Sequence, residues 1–214
     1  MPRPSNTEER RLQITGALVK VMAKRGYDGA SVADIARAAR LTPGLVHYHF
    51  DSKQEILLAA LGDLVARHDT GLEARLAAAA DDSIAELAAF IDFHLGLGAD
   101  ADPDALACWI LISGEALREP KVRVRFERAL QGMVARLAQV MRQGVDRRVF
   151  TCDAIDEAAA ALMALIQGYF VLAATARTTI PRGSAAASAK RMAAGLLRPT
   201  RPFPHRPTKK EARS

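Results

Sequence analysis

The residues best suited to chemistry stand in LTPGLVHYHF, residues 41–50, where His47 and His49 flank Tyr48 behind a Thr-Pro-Gly. On a β-strand, residues i and i+2 share a face, so a His-x-His pair can grip one metal ion. On a helix the same two residues point about 200° apart, because each residue advances by roughly 100°. The pair then cannot chelate, and the segment becomes a surface for reading something long and negatively charged. Thr42 is a favoured helix N-cap and Pro43 suits the first helical position, where its missing N–H is not needed. The sequence therefore predicts a short helix, with only the β-tolerance of Val46 and Tyr48 against it.

No other constellation competes for catalysis. The five histidines never sit at i and i+4, and the chain has no nucleophile elbow, metal-ligand spacing or glycine-rich phosphate loop. No metal and no cofactor is expected. An enzyme using His47 and His49 as metal ligands stays as the alternative that a strand at this point would favour. The two cysteines, Cys108 and Cys152, have no ligand-like neighbours, which fits plain thiols in a reducing cytoplasm. Behind Arg10-Arg11 there is no apolar stretch, so no signal peptide is expected.

The elements that must position this segment are signalled at both ends. Thr7 can cap a helix whose first turn carries Glu8 and Glu9 and whose apolar face is Ile14, Leu18, Val21 and Met22; Lys24-Arg25-Gly26 ends it. Ser31 and Asp34 have capping-box spacing before a short stripe of Val32, Ile35, Ala36 and Ala39, and Ser52-Lys53-Gln54-Glu55 is a full capping box before Leu57, Leu61, Leu64 and Val65. Two short helices separated by a tight turn at residues 39–41 make a helix-turn-helix, whose second member enters the major groove. Leu45 and Phe50 are expected to lock that helix down. Thr42, Pro43, Gly44, Val46, His47 and Tyr48 remain for the groove and the phosphates, while His49 reads as a packing residue.

Charge fits this reading without carrying it. The chain of 214 residues has a formal net charge of +6, with basic ends and a mildly acidic body.

Residues 7 to about 61 closely resemble the TetR family of bacterial one-component transcriptional regulators. The resemblance is carried by Gly26-Tyr27, Ala30-Ser31-Val32, Asp34-Ile35-Ala36, Ala39, Leu45-Val46-His47-Tyr48-His49-Phe50, Ser52-Lys53 and Leu57-Leu58. It implies phosphate contacts at Tyr48, Lys53 and Thr42, and base reading by Pro43, Gly44, His47 and, from the preceding helix, Arg37. Phosphate contacts set register without carrying sequence information, whereas base contacts specify. The chain departs from the family at two places. Arg40 stands where glycine is usual, at a turn that asks for a left-handed backbone, at a cost of about 1 kcal/mol unless its guanidinium meets a phosphate. His47 stands where tyrosine is more common.

The body reads as further helices over 83–97, 103–115, 120–145, 154–177 and 184–197. The expected architecture is all-α: an N-terminal three-helix DNA-binding domain with a helix-turn-helix (1–61), and a larger helical effector-binding and dimerisation domain (62–197). Trp109, Ser113-Gly114, Glu115-Ala116-Leu117, Pro120 and Ile166-Gln167-Gly168-Tyr169 look similar to the choline-responsive repressor subgroup. An effector pocket would combine large apolar groups with a few polar ones, namely Phe90, His94, Trp109, Ser113, Phe126, Met133, Gln167 and Phe170, although core packing is the plainer reading of each alone. Arg118, Lys121, Arg125 and Arg128 share a helical spacing that suits a solvated basic face or, more sharply, an anionic effector.

Residues 158–176 carry no charge and are just long enough for a membrane-span reading, but an all-apolar helix is equally what a core or a subunit interface needs. The resemblance places a homodimer interface on 154–197, and dimerisation would set two reading helices about 34–36 Å apart on a palindromic operator. The last segment, residues 198–214, has four prolines and a net charge of +5 and is expected to be disordered. The partners expected are thus double-stranded operator DNA, a small-molecule effector and a second copy of the chain. The third reading, a helical interaction module or membrane-anchored protein built on 158–176, would need a partner or detergent instead of DNA.

Overall fold

The structure, a computed structural model, describes residues 6–79, 81–96 and 102–204. Among these residues there are nine helices and no strand: α1 (Asn6–Arg25), α2 (Val32–Ala39), α3 (Pro43–His49), α4 (Lys53–Ala77), α5 (Ser83–Leu95), α6 (Pro103–Glu115), α7 (Pro120–Asp146), α8 (Ile155–Thr175) and α9 (Ser184–Leu197). The all-α expectation is met. Helix α5 stops at Leu95, and Leu97, the expected end, lies outside the described residues.

The chain forms two compact units that do not follow sequence order. The first holds residues 6–69 and 102–129, and the second the described parts of 70–101 and 130–204. The boundary expected at residue 61 falls inside α4, where nothing in the helical periodicity marks a break.

In the first unit, α1 packs against α2, α3 and α6. Its buried face is Ile14, Leu18 and Met22, extended by Ala17 and Val19, while Val21, expected on the same face, is half-buried. Gly26 ends it in the left-handed region at φ 71°, and its N–H donates to the Met22 carbonyl at 2.8 Å. Ile35, Ala36 and Ala39 of α2, Val46 of α3, Phe50, and Ile56, Leu57 and Leu61 of α4 complete the core around it. Cys108 of α6 is fully buried, and burial pushes its thiol up to about 12, so it stays a protonated packing group; Cys152, in the other unit, is half-buried and also unpaired.

In the second unit α9 packs on α5 and α8. Helix α8 is long and apolar enough to cross a membrane by length and composition. Here Ala158, Ala159, Leu162, Met163 and Ile166 turn inward, while Ala160, Ala161, Ala164, Gly168 and Val171 stay exposed. Phe150 sits over Gly144 so closely that a Cβ there would lie 2.1 Å from the ring.

The start of the C-terminal segment corrects an expectation. Residues 198–204, read as part of a disordered tail, form a strap. Thr200 N–H donates to the Val149 carbonyl at 3.0 Å, Arg201 pairs with Asp82, and the Phe203 ring lies 6.3 Å from that of Phe150. Lys190, with its amine 2.7 Å from Asp92 Oδ2, donates to the Pro204 carbonyl at 3.0 Å. Composition alone hid this, because one aromatic and a few main-chain bonds hold the segment to partners far away in sequence. Residues 205–214 lie outside the described residues.

The turn between α2 and α3 has the left-handed conformation that the resemblance implies: Arg40 caps α2 at φ 56° and ψ 42°. Arg40→Gly is expected to raise the unfolding free energy by about 1 kcal/mol, since the left-handed penalty disappears. Urea denaturation checks this, and an unchanged or lower midpoint at constant slope would count against backbone strain at this position.

Candidate nucleic-acid interface

The segment that opened the question is helical. Thr42 caps α3 with a backbone φ of −81°, its hydroxyl accepting from Leu45 N–H, and Pro43 occupies the first turn. His47 and His49 therefore diverge around a helix, and the strand geometry that a His-x-His chelate needs is not formed.

The surface of α3 is set by two anchors. Val46 is 0% exposed and Phe50, which ends the helix, 2%. Leu45 is half-buried, in line with its expected packing role. Val46 corrects the sequence reading, which had left it for the groove: it is buried one turn before Phe50, on the side of α3 turned into the first unit's core. Thr42, Pro43, Gly44, His47 and Tyr48 are exposed, and Tyr48 is 79% so, a large apolar ring left in water on one short helix. His49 is half-buried, its ring edge-on to Tyr48 with centroids 5.1 Å apart.

The remaining candidates are tied more firmly than sequence suggested. Arg37 is exposed but paired at 2.9 Å with Asp34, whose carboxyl is held below its usual range first by the Ser31 hydroxyl, with Arg25 and Arg37 adding to the effect. Reaching a groove would require Arg37 to exchange that partner. Arg40 is exposed at the turn. Lys53, at the start of α4, donates to the Tyr27 carbonyl at 2.9 Å and lies 4.2 Å above the Tyr27 ring. Its ammonium keeps two N–H donors for an anion, now aimed from a fixed point. Beside it Gln54 donates to Glu119 at 2.7 Å, and Arg118 reaches Glu115 and Asp28. Burial, then these three acids, push the Tyr27 hydroxyl up to about 12.

Two residues that the sequence reading passed over touch the motif's main chain. Arg11 donates to the His49 carbonyl, and Gln13 donates to the Ala39 carbonyl at 2.6 Å. No local pattern marks them, because their partners lie 38 and 26 residues away.

The candidate pocket residues fall into separate groups. In the second unit Phe90 is fully buried and His94 is 4% exposed; their rings stack at 4.4 Å, with Phe170 at 6.3 Å from His94. His94 Nδ1 bonds the Phe90 carbonyl at 2.8 Å, as a satisfied interior histidine does. Met133 is buried, and Gln167 Nε2 lies 3.6 Å from Met163 Sδ. In the first unit Trp109 and Phe126 are in contact at 4.7 Å, and the Ser113 hydroxyl is spent on the Ile110 carbonyl. Two open surface grooves, of about 380 and 400 Å³, are lined by other residues. Of the basic set, Arg118 is exposed but ion-paired with Glu115 and Asp28 before α7 begins, while Lys121, Arg125 and Arg128 are exposed on α7.

Comparison with known proteins bears directly on this arrangement. Residues 14–60 match the family described as bacterial regulatory proteins, tetR family, and residues 83–198 match the BetI-type transcriptional repressor C-terminal family. The HTH-type transcriptional regulator BetI of Rhizobium meliloti is 27% identical over 172 residues, covering 80% of this chain and 81% of that protein. BetI of Burkholderia mallei is 26% identical, covering 82% and 87%. Among solved structures, a transcriptional regulator from Saccharomonospora viridis in complex with choline superposes with a TM-score of 0.80 at 25% identity, covering 88% of this chain and 97% of that one. A TetR regulator from Haloarcula marismortui superposes at 0.79 with 23% identity, over 88% and 98%. A helix-turn-helix with an exposed second helix, on a chain whose C-terminal half matches a repressor family, makes this protein a DNA-binding transcriptional regulator and not an enzyme; it belongs to the TetR family, with a BetI-type C-terminal region.

Proposed function

We propose that the protein is a cytoplasmic homodimeric repressor that binds a palindromic operator through α3 and is released by a small molecule. The exposed row on α3, held over a fully buried Val46 and Phe50, carries this reading. Residues 1–61 supply the DNA contacts and 62–197 the dimer and the effector response. Tyr48, Lys53 and Thr42 grip phosphates, Pro43, Gly44 and His47 face base edges, and Arg37 and Arg40 add basic groups beside them.

The dimer is supported by α8 and α9. Their exposed sides carry Val171, Met192 and Leu196, between 42% and 54% exposed, alongside the small residues Ala164 and Gly168 that allow close helix approach.

The effector class we infer is a quaternary ammonium cation. It is supported by the choline complex of the Saccharomonospora viridis relative and by the Trp109–Phe126 aromatic pair, whose faces attract such cations. Release follows if the ligand prefers a conformation in which the reading helices are misplaced, and the loss of affinity equals that preference.

Anisotropy on fragments of its own upstream DNA, with random duplex as control and across a salt series, tests the reading. Nanomolar binding by two subunits, with a strong preference over random duplex, is expected. Equal weak binding to every duplex would count against a sequence reader. On the bound fragment, Tyr48→Phe and Lys53→Ala should weaken binding to all sequences alike, whereas His47→Ala should alter base preference. Unchanged affinity in all three would remove α3 as the reading helix. Choline should lower operator affinity in a saturable way and perturb the emission of Trp109, the single tryptophan; absence of both responses would exclude choline as effector.

A further inference from the structure

Helix α3 has seven residues, too few to persist in water unaided. Its two fully buried anchors, Val46 and Phe50, lie one turn apart along one face. Apolar burial of that kind is non-directional. It keeps the face inward but leaves the helix free to slide along its axis and to roll through small angles. A reading surface cannot tolerate either motion, because hydrogen bonds to base edges weaken steeply over fractions of an ångström and tens of degrees.

The directional constraint comes from α1. The Arg11 guanidinium makes three contacts at once. One nitrogen donates to the His49 carbonyl, the last of α3; another lies 3.5 Å from Glu55 Oε1; and the guanidinium carbon stands 3.9 Å from the centroid of the Phe50 ring. Glu55 is fixed in turn, since its other oxygen accepts from Asp51 N–H at 2.9 Å in the turn between α3 and α4. A planar fork with several donors can serve all of these together, which a lysine ammonium cannot. The cation also stands at the negative end of the α3 dipole. Gln13, two residues on, holds the last carbonyl of α2 in the same way.

We propose that Arg11 is a specificity-determining positioning residue: it sets the axial position and roll of α3, and so the match between its exposed side chains and the base edges, without itself touching a base. This rests on the proposed DNA-reading function. It separates two quantities that most substitutions in the motif move together. Phosphate binding by flexible side chains survives a small displacement of the helix, whereas base reading does not.

The test uses the full-length protein with Arg11→Ala and Arg11→Lys. Active fractions come from stoichiometric titration, and dissociation constants are measured on the operator fragment and on random duplex over a salt series. Arg11→Ala should weaken operator binding by about tenfold or more while random-duplex binding changes by about twofold or less, with the salt slope on random duplex preserved. Arg11→Lys should recover part of the lost ratio. If Arg11→Ala does not fold, the lysine variant carries the comparison. A parallel fall in both affinities, with the salt slope lower by about one, would make Arg11 a direct phosphate contact and overturn the proposal. So would a lower melting temperature with an unchanged operator-to-random ratio, the signature of a purely structural role. A wild-type protein with no preference for any duplex fails the functional reading itself, before any variant is compared.

Discussion

A seven-residue helix must be held from outside, and the first unit is organised around that need. Helix α3 forms few hydrogen bonds of its own and buries only Val46 fully within its length. Its fixed geometry comes from Phe50 at its end, the Thr42 cap at its start, and a left-handed residue that turns the chain into it from α2. Each of these acts on a different degree of freedom. The cap satisfies an amide, the aromatic ring sets depth, and the turn sets the crossing of α2 and α3.

The same logic explains why the reading face is free. Helix α3 packs on α1 and α2 through its buried side, so Pro43, Gly44, His47 and Tyr48 stay exposed, and exposed Thr42 caps the helix with its hydroxyl. Lys53 takes an intermediate position. Its stem and one N–H are committed to Tyr27, and the rest of its charge stays available. A cation held this way gives up less conformational freedom on meeting a phosphate than one on a free stem.

The second unit uses polar contacts to join elements remote in sequence. Lys190, 8% exposed, reaches both Asp92 of α5 and the Pro204 carbonyl, so one ammonium ties α5, α9 and the strap together. A charge buried to that degree is tolerated because its partners are supplied. Phe150 and Phe203 add the apolar half of the same closure. The apolar sides of α8 and α9 that stay uncovered suit contact with a second copy.

Local signals made most of the helix layout legible. Caps at Ser31, Thr42 and Ser52, the Gly26 stop and the 3.6-residue stripes depend on residues within a turn or two of each other, so the sequence alone places the helix-turn-helix and favours a helix over the strand that His47 and His49 would need as a chelate. The left-handed backbone at Arg40 is implied by the family resemblance, in which glycine is usual at that position. What local pattern could not decide was which side of α3 faces inward at Val46, which cations are spent on internal partners, as Arg37 and Arg118 are, and which remote residues hold the motif. It also could not gather Phe90, His94 and Phe170 apart from Trp109 and Phe126, or fold residues 198–204 back as a strap. The cation pairs Arg37–Asp34 and Arg118–Glu115 are only three residues apart, but an exposed cation has several possible partners and the pattern does not choose among them. The remote contacts, such as Arg11 with His49, Gln13 with Ala39 and Thr200 with Val149, join residues tens of positions apart that only the tertiary structure brings within hydrogen-bonding range.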